Sequence, residues 1–139
     1  MSSPDVWTAA RAIITDGAAA LALPVAWPNE TFAGVEPYAP AGTPNRWLAV
    51  EVSGDLSAPN EIGGGGWEET GSVSVHVMSP VGCGIADTLA VRKAVATWFR
   101  LQPSGAVTWG DTILDPGGMD EDGAWHRMTV RVAYAFTDH

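Results

Sequence analysis

Two serines and a histidine alternate with valines along the stretch from Ser72 to Met78, which makes it the first place to look for acid–base or nucleophilic chemistry. His76 lies two residues after Ser74. A nucleophilic serine needs a base within hydrogen-bond reach and a third group that orients the base. The chain contains neither a G-x-S-x-G elbow nor an H-E-x-x-H helix motif. We therefore expect no catalytic residues and no enzymatic activity.

A second candidate for chemistry is a group of carboxylates in the last quarter of the chain, which could in principle ligate a cation. Its members are Asp115, Asp120, Glu121 and Asp122. Calcium loops place their ligands at alternate positions and end on a distal glutamate, and this spacing is missing here. We expect no metal site, and we interpret the segment from Asp115 to Gly123 as an acidic hairpin loop that faces a channel or an interface.

Consecutive glycines before Trp67 invite a phosphate-binding interpretation. Neither a following Lys-Ser/Thr pair nor the G-x-G-x-x-G spacing is present, so no helix N-terminus is aimed at a phosphate. We predict instead a hairpin loop from Asp55 to Trp67, which exceeds the roughly two to five residues that a hairpin requires. Because loops of excess length are typical of binding surfaces, we expect it to contact a partner. Its candidate contact residues are Ile62, Gly63, Gly64, Gly65, Gly66 and Trp67.

The cysteine content and the N-terminal segment bear on the compartment. Cys83 is the single cysteine, so no internal disulfide can form. The first residues lack a basic stretch followed by an apolar run, and no run of about eighteen apolar residues occurs. We expect a cytoplasmic protein without a membrane span. Without secretion, the glycosylation triplet that starts at Asn29 is incidental.

The composition is strongly acidic, with seven lysines and arginines against sixteen aspartates and glutamates and a net charge of −9. Proteins bind duplexes and anionic membranes mainly by placing positive charge against phosphates. We therefore expect neither nucleic acid nor a membrane as a tight ligand, and no motif points to a cofactor. An acidic wall does suit a channel through which DNA slides without sticking.

The apolar pattern predicts the elements that must carry these segments. Ser3 followed by Pro4 is a favourable helix start, and apolar residues recur at three- and four-residue steps to residue 22. Five prolines make residues 24–45 an extended connector, in which Trp27 packs on the edge of the core. Alternation predicts strands at 46–52 and 72–78, and a second amphipathic helix spans 85–101.

Two final strands, 106–114 and 124–138, complete the predicted fold. In the last strand one face is expected to be buried, and it comprises His126, Met128, Val130, Val132, Tyr134 and Phe136. The other face comprises Trp125, Arg127, Thr129 and Arg131. The order α-β-β-α-β-β predicts a single domain, 1–139, of the α+β class, with two helices packed on a mostly antiparallel four-stranded sheet.

Several segments together resemble a known family. They are the N-terminal helix, the link "VAWPNETF" before "RWLAVEV", the block "WEETGSVSVHVMSP", the helix "ADTLAVRKAVATWF" and the closing "WHRMTVRVAYAFT". In this combination the chain resembles the tail terminator proteins of long-tailed bacteriophages and gene transfer agents. The resemblance covers nearly the whole chain.

The resemblance implies a structural virion protein. Six copies would form a homo-hexameric ring at the head-proximal end of the tail, capping the tail tube, stopping its polymerisation and joining it to the stopper or connector proteins that complete the head. DNA would pass through the ring without specific binding, and the ring would be assembled in the bacterial cytoplasm. The family offers no catalytic residue or cofactor to carry over. In that setting the two hairpin loops would contact the tail tube, a neighbouring subunit or the channel.

Three alternatives stay open at this stage, and the last of them is a hydrolase. A head–tail connector or stopper would have a similar size. A small ligand-binding module would use Trp27 and Trp67 as stacking surfaces. The oligomeric state separates the two classes, because a ring predicts a hexamer and a ligand-binding module predicts a monomer or dimer.

Overall fold

The computed structural model describes residues 3–59, 66–103, 105–119 and 123–138. Within these ranges the chain forms two helices packed on one mixed sheet. The elements are α1 (Pro4–Ala20), β1 (Val25–Ala26), β2 (Trp47–Pro59), β3 (Trp67–Pro80), α2 (Ala86–Arg100), β4 (Val107–Met119) and β5 (Trp125–Asp138). The predicted α+β class and both helices are confirmed.

The sheet has five strands in the order β1-β2-β3-β5-β4, so the predicted four-stranded sheet and its α-β-β-α-β-β order are wrong by one strand. The additional strand is β1, whose two residues pair parallel with Leu48 and Ala49. The other neighbouring strands are antiparallel. A two-residue strand is too short to show alternation, which is why the sequence pattern did not reveal it.

α1 begins where the sequence predicts it. The backbone N–H of Val6 donates to Ser3 Oγ at 3.4 Å, and Pro4 occupies the first turn. One stripe of the helix is buried, consisting of Val6, Ala10, Ile14 and Ala18. The helix ends at Ala20, two residues before the predicted end, and Ala22 takes a left-handed φ of +54° in the turn that follows.

Both helices pack on the same face of the sheet. The central strands β3 and β5 contribute a row of fully buried side chains, which are Val73, Val75, Val77, Val130 and Val132. α2 adds Val95 and Phe99 to this core. The predicted buried face of the last strand is confirmed from Met128 to Phe136, because its alternate residues are buried.

Gly17 allows the two helices to approach closely. A Cβ atom at Gly17 would lie 2.2 Å from the ring of Trp98 on α2, well inside van der Waals contact. The indole therefore occupies the space that any other residue at this position would need. The position of Trp98 fixes how α2 sits against α1.

The outer strands are longer than the sequence pattern indicates. β2 continues to Pro59, which pairs with Trp67, and β4 continues to Met119, which pairs with His126. The predicted loops therefore begin too early, since Asp55 and Asp115 both lie within strands. Glycine, proline and aspartate are poor strand formers, but an edge strand accepts them, and β-bulges absorb the irregular register.

The sheet face opposite the helices is partly covered by the connector. Phe32 stacks on Trp47 with ring centroids 5.0 Å apart, and Trp47 meets Trp125 edge-on at 5.7 Å. Trp125 is consequently buried, although the sequence pattern places it on the less buried face. The rest of this face, from Ser72 to His76, is polar and half-buried.

Candidate interaction surfaces

The predicted position of Trp27 at the edge of the core is confirmed. Its half-buried ring packs against the hydrophobic core and meets Trp7 edge-on, with centroids 5.6 Å apart. The Arg11 guanidinium carbon lies 4.6 Å from the centroid of the Trp27 ring. Arg11 also forms a hydrogen-bonded ion pair with Glu30, and the hydrogen bond lowers the pKa of the Glu30 carboxyl group. These contacts therefore hold the connector against α1.

His76 lies in an arrangement that superficially resembles a catalytic triad. Its Nδ1 is 2.7 Å from Thr129 Oγ1, and its Nε2 is 3.7 Å from Glu51 Oε2. The second distance is too long for a hydrogen bond, and the Glu51 side chain is 76% exposed. The Thr129 hydroxyl is buried within the sheet, where a substrate cannot reach it. Sequence reasoning did not identify Thr129 as the partner, because the contact is made across neighbouring strands.

The same burial determines the protonation of His76. Removal of the imidazole from water disfavours its charged form, and burial is the main reason that the pKa of His76 is lowered. The nearby Glu51 carboxylate opposes this shift, and Arg127 adds to it. His76 is therefore a neutral, structural side chain near pH 7.

The β2–β3 hairpin carries part of the first predicted surface. Trp67 pairs with Pro59 on one side and Asp138 on the other, and its side chain is 54% exposed. Gly66 precedes it with a φ of +114°. The other candidates of this loop, Ile62, Gly63, Gly64 and Gly65, lie outside the described residues. Leu56 on β2 is 63% exposed; it lies within the predicted loop range but was not among the candidate contact residues.

Glu69 ties the base of this hairpin to the helical layer. Its carboxylate accepts hydrogen bonds from the Tyr134 hydroxyl at 2.6 Å and from the backbone N–H of Ser3 at 3.2 Å. The N-terminus of α1 and two central strands therefore meet at one side chain. No sequence motif marks Glu69, since its partners are 65 and 66 residues away.

Asp115, the first residue of the predicted acidic loop, instead shapes a bulge in β4. Its carboxylate accepts the backbone N–H of Gly117 at 3.0 Å, and its carbonyl accepts Arg92 Nη1 at 2.9 Å. Gly117 has a φ of +89°, and a Cβ there would lie 1.8 Å from the Arg127 carbonyl oxygen, so only glycine fits. Asp120, Glu121 and Asp122 lie outside the described residues, and their role stays a prediction.

An exposed apolar surface lies where α2 meets the edge strand β4, and we call it the β4–α2 patch. It comprises Val81, Ile85, Leu89, Leu114 and Met119, which are 40%, 53%, 37%, 49% and 67% exposed. The hydrogen bond between Arg92 and Asp115 holds α2 against β4, and Val81 N donates to Ala124 O at 3.2 Å. Single exposed leucines are common, but several at one edge are typical of an interaction site. The patch joins residues distant in sequence, so no local signal reveals it.

Metal and membrane chemistry receive no support from the described geometry. In residues 3–59, 66–103, 105–119 and 123–138, no three histidine, cysteine or acidic side chains are grouped so that they could hold a metal ion. Neither helix in those ranges is long and apolar enough to cross a membrane.

The chain is similar in sequence to one protein family and similar in fold to a solved structure. The model of a family described as "Phage tail terminator protein" matches residues 5–134. A solved structure, 22% identical in sequence, superposes with a TM-score of 0.60 over 100% of this chain and 97% of the other. At that identity the superposition shows a shared fold only. No curated protein sequence matches the chain.

Proposed function

The chain belongs to the phage tail terminator family, and we propose that it forms a hexameric ring that caps the tail tube and stops its polymerisation. The family is one of structural virion proteins that act in the tail, with the tail tube as partner. The observation that carries the proposal is the extent of the match. Residues 5–134 include α2 and β1 to β4 completely, all of α1 except Pro4, and most of β5.

Further parts of the proposal concern the position of the ring. We place it at the head-proximal end of the tail, where it would join the tube to the stopper or connector proteins, after assembly in the bacterial cytoplasm. The net charge of −9 per chain supports passage of DNA through the ring without specific binding. Residues 1–139 would act as one tail-terminator domain without enzymatic activity.

The two hairpin ends are the proposed working surfaces. One presents Trp67 and Gly66 and continues into Ile62–Gly65, and the other continues from Asp115 into Asp120–Asp122. An exposed tryptophan at the end of a hairpin suits an apolar contact with the tail tube, because tryptophan is enriched at the centre of interfaces. The acidic end suits the channel, because carboxylates repel the phosphates of passing DNA.

The alternatives receive less support. The family match identifies a terminator rather than a connector or stopper. A ligand-stacking role for Trp27 conflicts with the Arg11 guanidinium, which already lies against its ring.

Electron microscopy of the purified protein, together with its mass in solution, tests the ring. We expect closed rings of six subunits. A protein that remains a monomer at high concentration would contradict the proposal.

Replacing residues 60–66 by a two-residue Asn-Gly turn tests the first working surface, because such a turn can join two antiparallel strands. We expect rings that no longer cap tails, and therefore tubes of uncontrolled length in a complementation strain. Tails of normal length would remove this hairpin end from the mechanism.

A further inference from the structure

We propose that the β4–α2 patch binds the β2 side of a second copy of this chain in a head-to-tail contact. The β2 side means β2 from Val50 to Pro59. This inference rests on the proposed ring, and it assigns the two surfaces through which neighbouring subunits would touch.

The sheet topology places the two surfaces at opposite edges of the molecule. In the order β1-β2-β3-β5-β4, β4 is one edge strand. β2 forms most of the other edge, since β1 pairs only with Leu48 and Ala49. A closed ring requires two different surfaces on each subunit, because each copy contacts one neighbour through one surface and the next neighbour through the other. Opposite edges of one sheet meet that requirement.

The apolar content of the patch supplies the centre of the contact. Leu89 lies on α2 one turn before Arg92, and Leu114 directly precedes Asp115, to which Arg92 is hydrogen-bonded. The two leucines therefore flank the same helix–strand contact. Interfaces combine a core of such apolar side chains with a polar rim. Leu56 offers an exposed apolar side chain on the β2 side.

The charges of α2 and β2 are complementary. α2 carries Arg92, Lys93 and Arg100, and none of them is in an ion pair with any described residue. The only carboxylate of α2, Asp87, already pairs with Arg46. The β2 side carries the carboxylates of Glu51 and Asp55. Its nearby arginines, Arg11 and Arg46, are already neutralised by Glu30 and Asp87.

Charge also opposes the symmetric alternative, in which two patches would face each other. That arrangement would bring Arg92 and Lys93 of both copies together, and like charges across an interface cost free energy. The sequence places three carboxylates directly after Met119. We therefore centre the contact on Leu89 and Leu114 rather than on Met119, where these carboxylates would approach the acidic β2 side.

The edge strands indicate that the contact is made by side chains rather than by a continuous intersubunit sheet. Irregular register interrupts β4 between Trp109 and Thr112 and between Asp115 and Gly118, and it interrupts β2 between Gly54 and Leu56. Pro116 and Pro59 lack a backbone N–H. Bulges and prolines are the features by which edge strands avoid pairing with another chain.

The test compares subunit mass in solution for variants on each side. On the patch we choose Leu89→Glu, which places a carboxylate at the proposed apolar centre opposite an acidic surface. The matched control is Leu101→Glu, the same substitution at a 76% exposed leucine just past the end of α2. We expect Leu89→Glu to weaken ring formation about thirtyfold or more, as for a residue at the centre of an interface. Leu101→Glu should leave the ring intact.

On the β2 side we choose the double variant Glu51→Lys with Asp55→Lys, which reverses the charge that faces α2. This variant alone should also be a monomer. When it is mixed with Leu89→Glu and cross-linked, each pair retains one intact patch and one intact β2 side, so we expect dimers that do not grow further. Unchanged circular dichroism and thermal midpoints for each variant would show that folding is retained.

Each contrary outcome of these experiments overturns a different part of the proposal. A wild-type ring that survives Leu89→Glu, or a mixture that yields no dimers, would overturn this interface and leave the proposed function standing. Dimers of the β2-side variant by itself would show a symmetric patch-to-patch contact and would overturn the head-to-tail assignment. A wild-type protein that never leaves the monomeric state would overturn both the ring and the interface.

Discussion

At the residue scale, Arg11 and Trp27 are side chains of types that often bind ligands, but in this protein they make structural contacts. The guanidinium lies against the indole and pairs with Glu30, so three side chains fasten the connector to α1. His76 is similarly hydrogen-bonded to Thr129 on the neighbouring strand. These contacts explain why aromatic and titratable residues occur in a protein whose family is structural.

The Trp27 contacts predict a large loss of stability on truncation. We expect Trp27→Ala to reduce the free energy of unfolding by about 2 to 4 kcal/mol, somewhat below the upper range for buried aromatics because the ring is half-buried. Chemical denaturation measures this change. The matched control, Trp67→Ala, removes a mostly exposed ring and should cost less than about 1 kcal/mol. An unchanged stability of Trp27→Ala would show that its ring does not pack on the core.

The pKa of His76 predicts a pH dependence of stability. Its folded-state pKa lies below the ordinary value of 6.5, so the unfolded chain takes up the proton more readily as the pH falls. This group therefore contributes stability above pH 6.5 that is lost as the pH falls towards the lowered folded-state pKa. We expect the wild type to lose more stability than His76→Gln between pH 7.5 and 5.5, measured by denaturation at each pH. Parallel profiles of the two proteins would contradict the assignment.

At the scale of elements, the fold depends on how closely helices and strands approach one another. α1 and α2 are in contact through Gly17 and Trp98, and Glu69 joins α1 to the central strands. β2 and β4 extend through glycine and proline because their neighbours β3 and β5 supply regular partners. The hairpin ends are thus positioned by paired strands up to Trp67 and Met119.

The contact between the helices predicts the effect of adding one methyl group. Alanine is favoured over glycine in a helix by about 1 kcal/mol. At Gly17, however, the new Cβ would clash with the Trp98 ring at 2.2 Å, so we expect Gly17→Ala to destabilise the protein by about 1 to 3 kcal/mol. Gly105→Ala is the control, because a Cβ there meets nothing within 4 Å. Thermal unfolding of both variants measures the difference, and a stabilised Gly17→Ala would show that the helices can separate without cost.

At the scale of the whole molecule, charge is the property most closely related to the proposed role. Carboxylates outnumber cations sixteen to seven, so a ring of such subunits would repel DNA from its walls. The cations are not evenly spread, since five of the seven lie on α2 and β5. In the proposed ring, this asymmetry would allow an acidic protein to associate with copies of itself.

Replacing the carboxylates of the acidic hairpin end by lysines should change a surface that repels DNA into one that binds it. We expect lysines at Asp120, Glu121 and Asp122 to leave folding intact and to retain DNA in the ring through phosphate contacts that added salt weakens. DNA retention at increasing salt and particle yield in a complementation strain measure the effect. The control places lysines at Asp16, Glu68 and Asp138, which are exposed and change the net charge equally. Equal retention by both variants would show that net charge, rather than this hairpin end, governs DNA passage.

The sequence by itself determined the features that depend on local periodicity and end signals. Ser3 and Pro4 set the start of α1, and the alternation through Val73, Val75 and Val77 set the buried face of β3. The two helices, the α+β class and the resemblance to tail terminators all followed from such patterns. The family match agrees with that resemblance.

Only the tertiary structure decided the features that depend on residues far apart in the chain. β1 exists because Val25 and Ala26 lie beside β2, and β2 and β4 extend past the predicted strand ends because a paired neighbour outweighs weak local strand propensity. Trp125 is buried because the connector folds across the sheet onto Trp47. The β4–α2 patch likewise depends on packing between segments distant in sequence. Local propensity is worth less than about 1 kcal/mol per residue for most residues, so strand pairing and burial override it wherever distant segments meet.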